Sequence, residues 1–239
     1  MQISIIIPAF NEEGNIGRLV RETFDAVPGA VIGEVIVVDD GSSDGTAGEI
    51  RALKKFFKKL RLIRHLVNSG QSASVRTGVI AARFGIIATM DGDGQNDPAD
   101  IPALLVKLGA TGDPGKPALV GGVRTKRRDT GSKRIASRAA NWIRDAILKD
   151  ECPDTGCGIK VFWREAFLIL PFFTSVHRYL PALFQTYGYK TAWQPVNDRP
   201  RISGISKYNN FNRALIGLYD LFGVTWLRRR TKVPQTAED

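Results

Sequence analysis

The chain has 239 residues, which is enough for one sizeable α/β domain or for one domain with an appended element. Hydrophobic residues make up 43% of the chain and charged residues 24%, a composition that excludes a disordered or fibrous protein. The formal net charge of +10 indicates an anionic partner, whether a nucleic acid, a phosphate-bearing substrate or a membrane surface.

The first 123 residues alternate short β-branched runs with stretches of helical character. The predicted strands are Ile3–Ile7, Glu34–Val38, Arg61–Arg64, Ile86–Met90 and Ala118–Val123. The predicted helices lie near Glu12–Ala26, Thr46–Lys58, Ser72–Arg83 and Asp100–Leu108. Strands and helices that alternate at this spacing predict parallel βαβ units, and hence a Rossmann-like, mostly parallel sheet flanked by helices.

Polar loops with acidic residues follow three of these predicted strands. The loops are 8–12 (Pro-Ala-Phe-Asn-Glu), 39–42 (Asp-Asp-Gly-Ser) and 91–93 (Asp-Gly-Asp). Because ligands of parallel sheets bind beyond the carboxyl ends of the strands, these loops predict a site at one edge of the sheet.

The second half of the chain is more basic. Residues 124–138 contain seven Lys or Arg and one Asp, and a helical stretch then runs to about Leu148. We expect a glycine-rich turn at 154–158, a hydrophobic helical region, a short strand near Lys190–Val196 and a basic loop at 199–207. A largely apolar helix then ends in three arginines, at 228–230.

The Asp-Gly-Asp loop carries two carboxylates one residue apart. Such a pair at a strand end can bind a hard divalent cation that also contacts a diphosphate. The alternative is an acidic turn that begins the next helix, since Asp97-Pro98 suits a helix start. The other acidic loops at the same edge favour the metal. In the second loop, Asp39 or Asp40 can accept hydrogen bonds from a nucleobase or ribose, whereas we expect Asp44 to be structural.

Taken together, the spaced motifs resemble those of family 2 glycosyltransferases of the GT-A fold, and within that family the polyprenyl-phosphate glycosyltransferases. In the first half they are Pro8-x-Phe10-Asn11-Glu12, Asp39-Asp40-Gly41-Ser42-x-Asp44-Gly45-Thr46, Asn68-x-Gly70 and Asp91-x-Asp93-x-Gln95-x-Asp97-Pro98. In the second half they are Arg124, Lys133-Arg134-x-x-Ser137-Arg138, Asp154-x-Gly156-Cys157-Gly158 and Arg201-x-x-Gly204-x-Ser206-Lys207. Phe10, Gly92 and Cys157 stand where the family usually has tyrosine, alanine and serine, and none of these departures removes a charge.

The resemblance implies a site for a sugar nucleotide, with a UDP-sugar favoured. The residues implied for donor binding are Pro8, Phe10, Glu12, Asp39, Asp40, Gly92, Gln95, Arg201 and Lys207. Asp91 and Asp93 should hold Mg2+ or Mn2+, with Gln95 nearby. Arg201 and Lys207 should clamp the donor diphosphate from the C-terminal loop.

The basic segment can bind the phosphate of an acceptor. On a helix Lys133 and Ser137 share one face, with Arg134 and Arg138 on the adjoining face, and Arg124 faces them from the strand end. The alternative is a solvated basic face. Because a phosphate is already an anion at pH 7, we expect catalysis by Asp91, Asp93 and Arg124 without a general base, and with inversion at the anomeric carbon.

An acceptor of this kind, a polyprenyl phosphate used in cell-envelope glycan assembly, lies in the membrane. No segment reaches the roughly 18–20 apolar residues that span a bilayer, and we expect no secretory signal. With two cysteines and no disulfide framework, the chain is predicted to be cytoplasmic and peripheral on the inner face of the membrane. The predicted units are a catalytic domain at 1–208 (a nucleotide-sugar half at 1–123 and an acceptor half at 124–208), an amphipathic interfacial helix at 209–230 that contacts anionic headgroups, and a disordered tail at 231–239.

Other interpretations stay open. The helix at 209–230 can instead pack on its own domain or on a second subunit in a homo-oligomer. A family 2 enzyme with a saccharide or protein acceptor would need no phosphate cluster at 124–138, and a sugar-nucleotide pyrophosphorylase would need a glycine-rich phosphate loop that is not apparent. A basic nucleic-acid-binding module would suit the charge, but the acidic strand-end loops would repel a phosphate backbone, so we expect no nucleic acid.

Overall fold

The computed structural model describes residues 1–109, 115–125, 144–200 and 210–234, with the backbone alone for 210–216. In these residues seven strands form one sheet in the order β3-β2-β1-β4-β6-β5-β7. The strands are β1 (Ile3–Ala9), β2 (Ile32–Asp39), β3 (Leu60–Arg64), β4 (Ile86–Thr89), β5 (Leu119–Arg124), β6 (Lys160–Trp163) and β7 (Thr191–Val196). Only β6 runs antiparallel to its neighbours among these strands, so the predicted mostly parallel sheet is confirmed.

Helices cover both faces of the sheet. They are α1 (Ile16–Ala26), α2 (Thr46–Leu53), α3 (Gln71–Ala81), α4 (Ile101–Leu108), α5 (144–148), α6 (Arg164–Leu168), α7 (Val176–Thr186) and α8 (Asn210–Arg230). A short 3-10 turn, Pro98–Asp100, precedes α4. The prediction that α2 reaches Lys58 was wrong, because the helix ends at Leu53 and the chain then turns back towards β3.

The central strands are apolar on both sides and therefore support two cores. Ile5 and Ile7 of β1 pack in the core under α1, α2 and α4. Ile6, between them, points to the opposite face and packs in the core under α3, α6, α7 and α8. This alternation is the two-residue period of a strand that is buried on both faces.

Strand β6 was not predicted. The hydrophobic helical region expected after the glycine-rich turn begins instead with a strand, Lys160–Trp163, that lies between β4 and β5. Because it is short and covered on both faces, it has no polar alternation that would distinguish it from a buried helix. Its antiparallel direction brings its first residue, Lys160, opposite Thr89, near the carboxyl end of β4.

Candidate active site

A cavity of about 370 Å3 lies at the carboxyl edge of the sheet. Five of the residues predicted for the site line it: Pro8, Asp91, Asp93, Gln95 and Arg124. Pro8 and Arg124 lie at the carboxyl ends of β1 and β5, and the other three residues follow β4, so the topology brings together side chains that are more than 100 residues apart in the chain. The predicted site at this edge therefore exists as one cleft.

Asp91 is the most strongly perturbed carboxyl group in the cleft. Its Oδ1 accepts a hydrogen bond from Gln71 Nε2 at 2.6 Å, and its backbone N–H donates to Asn96 Oδ1 at 2.9 Å. Burial, and then repulsion from Asp93, raise the pKa of Asp91 to about 6, although Lys160 and Arg124 act in the opposite direction. A divalent cation between the two carboxylates would relieve this repulsion.

Two glycines allow the loop that carries Asp91 to pack closely. A Cβ atom on Gly158 would lie 2.3 Å from Cγ of Asp91, and a Cβ on Gly92 would lie 2.7 Å from the carbonyl oxygen of Pro8. Side chains do not fit at either distance. The glycine-rich turn before β6 thus forms one wall of the pocket around the carboxylate.

Arg124 is held by a carboxylate that the sequence did not identify as its partner. Its Nε donates to Asp154 Oδ2 at 2.7 Å and its Nη2 donates to Asp154 Oδ1 at 2.8 Å. The hydrogen bonds from this largely buried pair raise the pKa of Arg124 above its ordinary value. Asp154 occupies one side of the guanidinium fork, and the other N–H groups are available to a phosphate that enters the cleft.

Lys160 is a second cation of the cleft, and it too was missed. Its side chain lines the cavity, the residue is only 5% exposed, and its Nζ donates to the carbonyl oxygen of Cys157. Among the described residues it forms no ion pair within 4 Å. A signal was present in the sequence, because the lysine comes two residues after the glycine-rich turn, but the turn was expected to lead into a helix.

The amino ends of α3 and α7 meet at the cavity. Ser72 Oγ lies 2.7 Å from Nδ1 of His177, a histidine for which the sequence indicates no role. Both His177 and the neighbouring Arg178 line the cavity. The positive ends of two helix dipoles therefore add to the cationic character of this side of the cleft.

Asp39 and Asp40 lie at the carboxyl end of β2 but outside the lining of this cavity. Asp39 is fully buried, accepting from Arg64 Nε at 2.9 Å and from the Ser42 N–H at 3.0 Å. The carboxylate of Asp40 accepts four hydrogen bonds, from His65, Asn68 and the backbone N–H groups of 69 and 70. Both carboxylates therefore fix the shape of the loops in this structure.

The loop at 8–12 is tied to the loop at 39–46. Glu12 is buried, its N–H donates to Thr46 Oγ1 at 2.8 Å, and its Oε2 accepts from Asn15 Nδ2 at 2.9 Å. Phe10 is half-buried beside it. Asp44 accepts from the N–H of Thr46 at 3.0 Å, which confirms its structural role.

Six predicted site residues lie outside the described residues. They are Lys133, Arg134, Ser137 and Arg138 of the acceptor cluster, and Arg201 and Lys207 of the donor clamp. The chain just before Arg201 is described, and Arg199 ties it to two other segments. Arg199 contacts Asp97 Oδ1, in the loop after β4, at 2.5 Å and Glu22 Oε2, on α1, at 2.8 Å. The backbone N–H of Arg199 also donates to the carbonyl of Gln95 at 3.0 Å.

The described residues contain no group of three or more His, Cys, Asp or Glu side chains that could hold a metal ion. The Asp91–Asp93 pair would offer two hard oxygen ligands, and the other ligands of an ion held there would come from a substrate or from water. Mg2+ is commonly bound in this way, by one or two carboxylates together with substrate phosphates. The residues present fit a divalent cation of this type.

A mostly parallel sheet with helices on both faces, a strand-end Asp-x-Asp pair and a cationic cleft define the class of GT-A glycosyltransferases. Residues 4–168 match the sequence profile of glycosyl transferase family 2, and the chain belongs to that family.

The chain is similar over nearly its whole length to two curated bacterial enzymes. It is 31% identical to dodecaprenyl-phosphate galacturonate synthase of Rhizobium johnstonii, over 96% of this chain and 68% of that protein. It is 30% identical to undecaprenyl-phosphate 4-deoxy-4-formamido-L-arabinose transferase of Enterobacter sp., over 92% of this chain and 66% of that protein. The chain thus spans about two thirds of the length of these relatives.

Among solved structures it is similar to glucosyl-3-phosphoglycerate synthase from Mycobacterium tuberculosis, crystallised with Mn2+, UDP and glucosyl-3-phosphoglycerate. The TM-score is 0.71 at 19% identity, over 98% of this chain and 81% of that one. This likeness confirms the predicted GT-A fold. Of the helices in the described ranges, none is long and apolar enough to cross a membrane.

Proposed function

We propose that the protein transfers a sugar from a nucleotide sugar, with a UDP-sugar favoured, to the phosphate of a membrane polyprenyl phosphate. The observation that carries this proposal is the presence of the Asp91–Asp93 pair and the cations Arg124 and Lys160 in one cleft. The carboxylates suit the donor side of such a reaction, and the cations suit an anionic acceptor. The two curated relatives, whose names contain dodecaprenyl phosphate and undecaprenyl phosphate, support this choice of acceptor.

On the donor side, Asp91 and Asp93, with Gln95 beside them, would hold Mg2+ or Mn2+. When bound, the ion neutralises charge on the departing nucleoside diphosphate. Asp39 and Asp40 hold the loops that would enclose the nucleoside, and Pro8, Phe10 and Glu12 lie at the neighbouring strand end. Arg201 and Lys207 complete the clamp on the diphosphate.

On the acceptor side, Arg124 presents its guanidinium to the phosphate together with the basic residues at 133–138. The phosphate oxygen attacks the anomeric carbon, the bond from that carbon to the diphosphate breaks, and the configuration inverts. No proton has to be removed from the nucleophile, because the phosphate is already ionised. The protein's contribution is positioning and charge stabilisation.

We place the protein on the cytoplasmic face of the membrane, where α8 contacts anionic headgroups. Incubating it with radiolabelled nucleotide sugars and polyprenyl phosphate, with Mn2+ or with EDTA, tests the proposal. We expect a labelled lipid that forms with Mn2+ and not with EDTA, and that Asp93→Asn abolishes. Label that appears in an added saccharide or protein and not in the lipid would overturn the acceptor, and unchanged activity in EDTA would overturn the metal.

A further inference from the structure

A patch of exposed apolar side chains lies on the outer surface of α3 and α6 and on the chain that follows α6. Ile80 is 53% exposed, Ile169 51% and Phe172 42%, and Leu168 is exposed beside them. Ile80, Leu168 and Phe172 also line a shallow groove together with Arg76. Contiguous apolar surface of this kind marks a contact with another molecule more often than scattered exposed residues do.

The outer face of α8 forms a second apolar patch. Tyr219 is 81% exposed, Phe222 72% and Trp226 64%, and these residues recur at helical spacing. The other face of α8 packs on the rest of the protein, since Leu221 and Val224 are buried in the core beneath the helix. The helix is thus attached to the catalytic domain by one face and presents aromatic side chains on the other.

Both patches belong to the same layer of helices. Residues of α3, α6, α7 and α8 share one core against one face of the sheet. The two patches flank the first turn of α7, as two contacts of Tyr179 on that helix show. Its ring lies 6.0 Å from that of Phe173, next to the first patch, and its hydroxyl donates to the carbonyl of Gly217 on α8 at 3.1 Å. His177 and Arg178, from the same turn, line the catalytic cavity.

Four arginines border this apolar surface, although the same helices also carry Glu165 and Asp220. The Arg76 guanidinium lies 4.8 Å from the centre of the Phe172 ring, and Arg83, two residues after α3, is exposed. Arg229 and Arg230 are exposed at the end of α8. Apolar and aromatic side chains bordered by arginines match the boundary between acyl chains and anionic headgroups, where long cationic side chains reach back to the headgroups.

We propose that this helical layer, with Phe172 and Ile169 in one patch and Phe222 and Trp226 in the other, is the surface that rests on an anionic bilayer. The inference rests on the proposed function and deepens it, because a membrane acceptor requires a defined orientation of the enzyme. When this surface rests on the bilayer, the first turn of α7 lies between the two patches that contact the lipid. A lipid phosphate at the bilayer surface then has a short path to the cavity.

Flotation of the full chain with vesicles tests the orientation. We expect the wild type to float with vesicles of phosphatidylcholine and phosphatidylglycerol, and less with phosphatidylcholine alone. Ile169→Glu with Phe172→Glu, and separately Trp226→Glu, should each lower partitioning by roughly tenfold or more. The matched control is Val106→Glu on α4, a residue that is 80% exposed on the opposite layer and should float like the wild type.

Transfer to polyprenyl phosphate in detergent micelles separates this proposal from the proposed function. The glutamate variants should keep wild-type activity in detergent and lose it on vesicles. Normal flotation of the Ile169/Phe172 variant would overturn the assignment of this surface to the membrane. An equal loss of flotation in the Val106 variant would overturn it as well. A different result would also overturn the proposal: the wild type floats with neither vesicle and sediments as a dimer, and Trp226→Glu makes it monomeric. The partner of this surface would then be a second copy of the chain. A wild type that floats but transfers no sugar even in detergent would overturn the proposed function alone.

Discussion

A methyl group on Gly158 would lie 2.3 Å from the carboxylate carbon of Asp91. The glycine belongs to the turn before β6 and the aspartate to the loop after β4, so two segments 67 residues apart meet with room for a hydrogen atom only. This contact fixes where the Asp91 carboxylate can point. It also explains why the turn needs glycine at this position. A side chain there would collide with Asp91, whereas the backbone conformation itself does not require glycine.

Gly158→Ala should therefore displace the Asp91 carboxylate. We expect metal-dependent activity to fall by more than about tenfold, with the folded structure retained, because the clash can be relieved by rotation of the Asp91 side chain. Measured transfer rates over a Mn2+ titration would show a weaker apparent metal affinity. Gly48→Ala is the control, since a Cβ there has no atom within 4 Å. Wild-type metal affinity in the Gly158 variant would contradict the argument.

The sequence is sufficient to predict the loop that carries Asp91. It is not sufficient to predict β6, whose first residue, Lys160, lines the same cavity. β-Branched runs ended by acidic, glycine-rich loops specify strand ends locally, which is why the edge occupied by Asp91 and Asp93 was predictable. The position of Lys160 depends on β6 entering the sheet antiparallel, between β4 and β5. That placement is decided by tertiary packing, and a strand of four residues, three of them buried, carries no periodic pattern that encodes it.

Asp91→Asn should change the pH dependence of stability in the absence of metal. The folded chain raises the pKa of Asp91 from 3.8 to about 6, so the native state binds more protons than the unfolded state between those values. The free energy of unfolding of the wild type therefore falls as pH rises from about 4 to about 6, and the loss persists above. Allowing for partial exposure, the asparagine variant should be more stable at pH 7 by on the order of 1–2 kcal/mol.

Thermal unfolding in EDTA at pH 4.5 and pH 7 measures this difference. Added Mn2+ should raise the melting temperature of the wild type and not that of the variant. Asp25→Asn, an exposed carboxylate on α1, should follow the wild type in both respects. Equal pH profiles for Asp91→Asn and the wild type would show that the carboxylate is not perturbed.

The Arg124–Asp154 pair should be energetically coupled. Because Asp154 is 4% exposed and bonded to Arg124 at both oxygens, removing either charge takes a directly bonded counter-ion from the other in a desolvated site. A double-mutant cycle with Asp154→Asn and Arg124→Met should give a coupling of about 1–3 kcal/mol in the free energy of unfolding. The exposed Arg18–Glu22 pair, at a similar 2.6 Å, should give no more than about 0.5 kcal/mol. Additive effects at Arg124 and Asp154 would argue against coupling.

The partner of Arg124 could not be read from the sequence, because Asp154 lies 30 residues away and no local motif links an arginine to a carboxylate at that separation. The motif at 154–158 was assigned as a turn, and its aspartate received no role. Asp39 and Asp40 show the converse case: their placement at a strand end was predictable. The hydrogen bonds that these two carboxylates accept from Arg64, His65 and nearby N–H groups depend on how three separate loops pack together.

Arg199→Ala should weaken binding of the nucleotide sugar. Arg199 lies just after β7 and two residues before Arg201. It contacts Asp97 in the loop after β4 and Glu22 on α1. Burial favours the protonated form of Asp97, but hydrogen bonds from Arg199 and from the N–H of Ala99 hold its pKa below the ordinary value, so the contact is ionic at pH 7. If Arg201 acts on the donor diphosphate, loosening this attachment should raise the KM for the donor by roughly three- to tenfold, with a smaller change in kcat. Arg18→Ala removes a different partner of Glu22 and leaves Asp97 paired, so its KM should stay at the wild-type value. A fall in kcat alone would instead place the effect of Arg199 on the chemical step.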